Sequence, residues 1–240
     1  MIWFEPGRIP PGNWPMISVV YAGLSMLEES LPESVDMTDG NGNLLISGCM
    51  EVYYFAVARR VMDCSVGAIA AWNAGALVGS ISCARSLLEV LSTFHEFQER
   101  VRDSIKGRDW QMVAELVDAY GLSEGRIQNN GENRQAPCNV SRAVKNFIRT
   151  IHNGDEKFWN QICNLVHPNG VALIKYGGDL DSDNYQERDD EKTRIELFSA
   201  LYNCLISCNW FVAVGGEFEN LLEEILNGGQ ADQDQSTVNT

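Results

Sequence analysis

Positive charge is what this 240-residue chain has least of: 18 lysines and arginines stand against 33 aspartates and glutamates, a formal net charge of −15. Such a field repels phosphate backbones and anionic lipid, which excludes nonspecific nucleic-acid binding over the whole surface and leaves a local basic cleft as the place for an anion. The acids gather between Asp179 and Glu191 and between Glu217 and Glu224, as in a solvated surface. No CxxC pair occurs among the seven cysteines, Cys49, Cys64, Cys83, Cys138, Cys163, Cys204 and Cys208. Their odd number and apolar surroundings exclude a disulfide framework and read as thiols in a reducing compartment, so a cytoplasmic location is expected. Cys204 and Cys208 lie one helical turn apart, but zinc needs two more ligands and none is near in sequence. No metal and no cofactor are expected. The start, MIWFEPGRIPPGNWP, has an acid and several prolines where a signal peptide has its apolar centre. There is no phosphate-binding loop, no dinucleotide fingerprint, no Gly-x-Ser-x-Gly elbow, no His-Glu-x-x-His and no internal repeat.

What the chain does have is apolar residues at helical spacing. The length suffices for a full hydrophobic core, and no long linker divides it. We expect an all-α bundle of about six to eight helices with two long ones. It forms a single domain over 1–226 with an extended arm at 1–15, followed by a disordered tail at 227–240, where apolar anchors are missing. Met16–Ser30 and Leu44–Met62 read as helices, and Val66 to Lys106 reads as one helix about 60 Å long. Within it Ala71, Gly75 and Gly79 recur every four residues, a small-residue face for close helix packing. Ser65–Ala84 is uncharged over a membrane-spanning length, but it is rich in Ala, Gly and Ser and holds Asn73, so a buried helix and no membrane contact are expected. Trp110–Tyr120, Ser141–Ile151 and Asp155–Val166, the last capped by Asp155, are shorter helices. A polar loop spans 123–139. Val171–Tyr176 is the one strand-like run, and without a partner strand it reads as a connection, so sheet content is expected to be near zero. Glu191–Leu226 is the second long helix, bent at Gly215-Gly216.

Two places carry chemistry. Arg85 and Glu89 lie one turn apart where the apolar helix becomes polar, followed by His95, Glu96 and Glu99. This is either an exposed i,i+4 pair or an arginine carried toward the core that needs a partner. The Glu-x-x-His pairs of a di-metal bundle are missing. His167 either ends its helix at the favourable pole of the dipole or is held by Pro168 for proton transfer, with Asn169 and Tyr176 beside it and Arg85 as the anion's guanidinium.

The elements ARSLLE at 84–89 and FWNQICNLVHPNGVALIKY at 158–176 resemble a pattern in poorly characterised bacterial all-helical proteins. These are similar in turn to the HEPN superfamily (higher eukaryotes and prokaryotes nucleotide-binding), many of whose members are helical ribonucleases of toxin and antiphage systems. The resemblance implies an RNA-processing or nucleotide-binding function, with RNA or a nucleotide as partner, and a symmetric homodimer. In that reading His167 is acid or base, Arg85 the anion clamp, and Glu89, Asn169 and Tyr176 orient the substrate. HEPN ribonucleases carry their Arg and His a short interval apart on one helix. Here Arg149 and His152 are closer than that, while Arg85 to His95 and Arg142 to His152 are farther apart. The rival expectation is a noncatalytic acidic interaction module that meets a basic protein partner or mimics nucleic acid, with Arg85 and Glu89 as a structural pair.

Overall fold

The uncharged stretch near residue 75 is where the chain turns back on itself. Helix α2, Ile46–Asn73, and helix α3, Leu77–Lys106, form an antiparallel hairpin whose turn holds Gly75 at φ +78°. A side chain at that backbone angle would be strained, so the glycine ends α2 and lets Ala76 N–H reach back to the Ala71 carbonyl at 2.8 Å. The expected single helix from 66 to 106 is thus corrected: its first turns belong to α2. Asp63–Ser65 is helix interior, where the Ser65 hydroxyl folds back onto the Val61 carbonyl at 2.7 Å. Ala71, Gly75 and Gly79 do not form one stripe. Ala71 and Gly79 face each other across the hairpin, the Cβ of Ala71 lying 3.6 Å from where a Gly79 Cβ would sit. Gly67 likewise admits the Cys83 thiol from α3.

The computed structural model describes residues 2–38, 42, 45–122, 138–151, 154, 157–167, 178–181, 184–187 and 190–238. Helix α1, Trp14–Ser30, begins with a proline in its first turn and buries Ile17, Val20, Leu24 and Leu27. The arm before it is docked. Phe4 and Ile9 are buried. Asn73 clamps the arm's backbone, its amide donating to the Trp3 carbonyl at 2.8 Å and its oxygen accepting from Glu5 N–H at 3.0 Å. Trp72 Nε1 donates to the Arg8 carbonyl, and Phe4 N–H donates to the Tyr21 hydroxyl.

Around the hairpin lie α4 (Trp110–Val117), a π-helical turn (Asp118–Leu122), α5 (Val140–Ile151) and α6 (Lys157–Val166). Asp109 caps α4 by accepting from Met112 N–H, and Asn139 does the same for α5 through Arg142 N–H. The chain then makes α7 (Asp190–Leu205), α8 (Ser207–Ala213) and α9 (Gly215–Val238). These succeed one another across the single residues Ile206 and Val214, so the second long helix exists as three consecutive segments. Gly215 stands where the Tyr54 hydroxyl would lie 2.9 Å from an added Cβ. The helical backbone continues past Leu226 to Val238 instead of ending with the apolar pattern, since propagating a formed helix costs little. Sheet content is near zero as expected, confined among the described residues to a small hairpin in the acidic stretch, β1 (Gly178–Asp181) antiparallel to β2 (Asn184–Glu187). Asp155, Val171–Tyr176 and most of the 123–139 loop lie outside the described residues.

The fold is the expected all-α bundle. Its centre is α3, whose Leu87, Leu88, Leu91, Phe94, Phe97 and Val101 are buried. An aromatic cluster joins it to the last helices: Tyr54 stacks on Phe211 and Phe218 with centroids 5.0 and 4.9 Å apart, and Phe94 meets Phe211 edge-on at 5.1 Å. Among the described residues two runs, Leu77–Lys106 and Glu191–Leu226, are long and apolar enough to cross a membrane, and about half of each such stretch lies inside the protein, as in core helices.

Candidate functional site

On α3 the inward positions are taken by Ala84, Leu87 and Leu88, which leaves Arg85 and Glu89 at the helix flank facing α6. Their side chains are 28% and 30% exposed, and Arg85 Nη2 lies 2.9 Å from Glu89 Oε1. The guanidinium sits over the indole of Trp159 on α6, 5.3 Å from the ring centre. A half-exposed ion pair contributes about 0–1 kcal/mol and the indole contact about 0.5–1 kcal/mol, so Arg85 is oriented without being locked. Its Nε is buried and has no hydrogen-bond partner among the described residues.

Helix α6 lines up Trp159, Cys163 and His167 at successive turns. Burial pushes the Cys163 thiol up, while Arg85 pulls it down and Glu89 raises it, which places Cys163 within the field of the α3 pair. His167 N–H closes the final turn on the Cys163 carbonyl at 3.1 Å, and its side chain is exposed. Arg85, Glu89, Trp159 and Cys163 therefore occupy one strip between α3 and α6, assembled from segments roughly seventy-five residues apart in sequence, and His167 follows Cys163 one turn on, just past the end of α6. Asn169 and Tyr176 lie outside the described residues. The strip offers one guanidinium shared with one carboxylate, and the exposed side chain of His167 lies past the end of α6.

Sequence reasoning passed over a second feature. A cleft of about 590 Å³ opens between α3 and α5, lined by His95, Glu96, Glu99, Arg100, Asp103, Arg142 and Asn146. His95 packs against Phe147 and Trp210, with centroids 5.7 and 5.5 Å away. Burial lowers its pKa, with Glu99 raising it, Arg102 lowering it and Glu96 raising it. Arg142 Nη2 lies 3.5 Å from Glu96 Oε1. Glu99 is held by Arg102, which also reaches Glu217 at 2.9 Å. Carboxylates outnumber guanidiniums in the lining, so the cleft does not favour a phosphate. The sequence signal was the run His95, Glu96, Glu99 and Asp103 on one helix, but only the fold brings Arg142 and Asn146 opposite it.

Cys204 and Cys208 are both fully buried, and burial pushes the Cys208 thiol up to about 12 even with the Ser65 hydroxyl 3.3 Å away. They are protonated core side chains. Among the described residues no group of three or more His, Cys, Asp or Glu gathers as a metal site. No protein-family model, curated protein or solved structure matches the chain.

Proposed function

We propose that this is a HEPN-like helical protein of the toxin or antiphage-defence type that acts on RNA or a nucleotide through the strip between α3 and α6. The observation that carries the reading is the guanidinium of Arg85 lying over Trp159, which brings the Arg-Ser-Leu-Leu-Glu segment beside α6, the helix that His167 follows. Arg85 holds the anionic centre, His167 exchanges the proton, and Glu89 orients the guanidinium until the anion arrives. Because the pair is partly exposed, a phosphate can take the place of the Glu89 carboxylate at a cost of about 1 kcal/mol or less. In the same reading Asn169 and Tyr176, outside the described residues, are assigned to orient the substrate. A homodimer in the cytoplasm is part of the same reading.

The test is cleavage of RNA, or growth arrest on expression, with His167→Ala and Arg85→Ala. Each should lower activity by about 100-fold or more with helicity kept, melting unchanged in His167→Ala and lowered by no more than about 5 °C in Arg85→Ala, which loses its ion pair and indole contact. Full activity in either variant defeats the proposal.

A second reading has its own observation. Glu89 already neutralises Arg85, and the net charge is −15, which suits a noncatalytic module that meets a basic protein partner. RNA affinity measured against salt separates the two: a steep loss with salt reports phosphate contacts, and no binding even at low salt favours the protein partner.

A further inference from the structure

From Ile9 to Leu27 no side chain is charged, in a chain whose net charge is −15. Most of that stretch is α1. Its inner side is covered: Ile17, Val20, Leu24 and Leu27 enter the core, and Asn209 of α8 packs against Gly23 and donates to the Val19 carbonyl at 3.3 Å. Its outer side carries Pro15, Ser18, Val19, Ala22 and Met26, with Val19 47% and Met26 58% exposed.

We propose that this outer face of α1 binds a second copy of the chain through an antiparallel two-fold contact centred on Ala22. Two observations select that occupant. Copies with this net charge repel one another across most of their surface, and α1 is the helix that offers a face free of charge from its first residue to Leu27. The face is also self-complementary. Val19 and Met26 lie two turns apart on one side of Ala22, and Ser18 and Ser25 lie two turns apart on the other. A two-fold axis at Ala22 sets Val19 against the partner's Met26, Ser18 against the partner's Ser25, and the small Ala22 against its own copy, where the backbones can approach closely. Apolar meets apolar and hydroxyl meets hydroxyl around Ala22, and at the ends Glu29 falls opposite the partner's Pro15, in the first turn, where the helix pole favours a carboxylate. A helix about 25 Å long buries less than about 1,000 Å² in such a pair, so the dimer is weak and forms in the micromolar range. The proposal places the homodimer of the reading above on α1, and it stands without the Arg85 and His167 chemistry, which the cleavage assay tests separately.

Sedimentation equilibrium of the full chain from low to high micromolar concentration should show the mass rise from one chain to two. Val19→Glu with Met26→Glu, at exposed positions, should weaken association by about 100-fold and leave helicity and melting unchanged. In Ala22→Cys, mild oxidation should link the two copies through position 22, as mapped by mass spectrometry. A wild-type chain that stays monomeric, a double-glutamate variant that still dimerises, or a variant that fails to link at position 22 each overturns it. So does a monomer whose α1 face instead binds neutral phosphatidylcholine vesicles, which would identify lipid as the occupant.

Discussion

At the scale of single residues, several side chains have consequences that can be measured apart from function. Arg194 of α7 is buried, donates to the Trp72 carbonyl at 2.8 Å and lies over the Trp72 ring, 5.4 Å from its centre. It supplies a cation where the α2 dipole ends. Arg194→Met should cost about 1–3 kcal/mol in urea unfolding, because an unsatisfied carbonyl replaces a charged hydrogen bond. His95 gives a pH signature whose sign follows from its lowered pKa. As pH falls, the unfolded chain takes up the proton first, at about 6.5, while the folded protein resists it. The stability tied to neutral His95 is therefore intact above 6.5 and is lost as pH drops from there through the lower folded value. Melting temperature followed from pH 8 to 5 should fall at the acid end, and His95→Phe should flatten that dependence.

At the scale of elements, the arm and the hairpin turn depend on each other. Removing residues 1–9 uncovers the sites of Phe4 and Ile9 and strips Asn73 and Trp72 of their backbone partners. We expect a loss of about 3–5 kcal/mol in stability, read by denaturant unfolding, with helix content largely kept. Gly75→Ala should cost about 1 kcal/mol at its left-handed turn. The turn also shows why the end of α2 was hard to read. Ser65–Ala84 is Ala-, Gly- and Ser-rich with no charged residue to mark a boundary, so periodicity ran through a reversal that the Gly75 backbone and the Arg194 guanidinium define. Asp63–Ser65, between the two expected helices, is helix interior, where Ser65 bonds to its own helix.

At the scale of the whole molecule, the acidic charge sets the long-range field that any partner meets. Adding salt should raise the melting temperature modestly by screening self-repulsion, since carboxylates exceed basic groups by 15. Thermal melts at low and moderate ionic strength would check it, a flat response counting against self-repulsion.

The apolar spacing alone determined that this chain is helical and which helices have one buried face. Those properties are local: a residue's neighbours at three and four positions are fixed as soon as the helix forms. The Arg85 and Glu89 pair was legible for the same reason, being one turn apart. Tertiary structure decided the rest. Whether Arg85 would meet α6, on which residue it would rest, and that Arg142 would face His95 and Glu96 across a cleft depend on how α3, α5 and α6 pack. No periodicity encodes the rotation of one helix against another. That rotation is set by the summed fit of Phe94, Phe97, Trp159, Trp210 and Phe211, a property of the whole core and of no single segment.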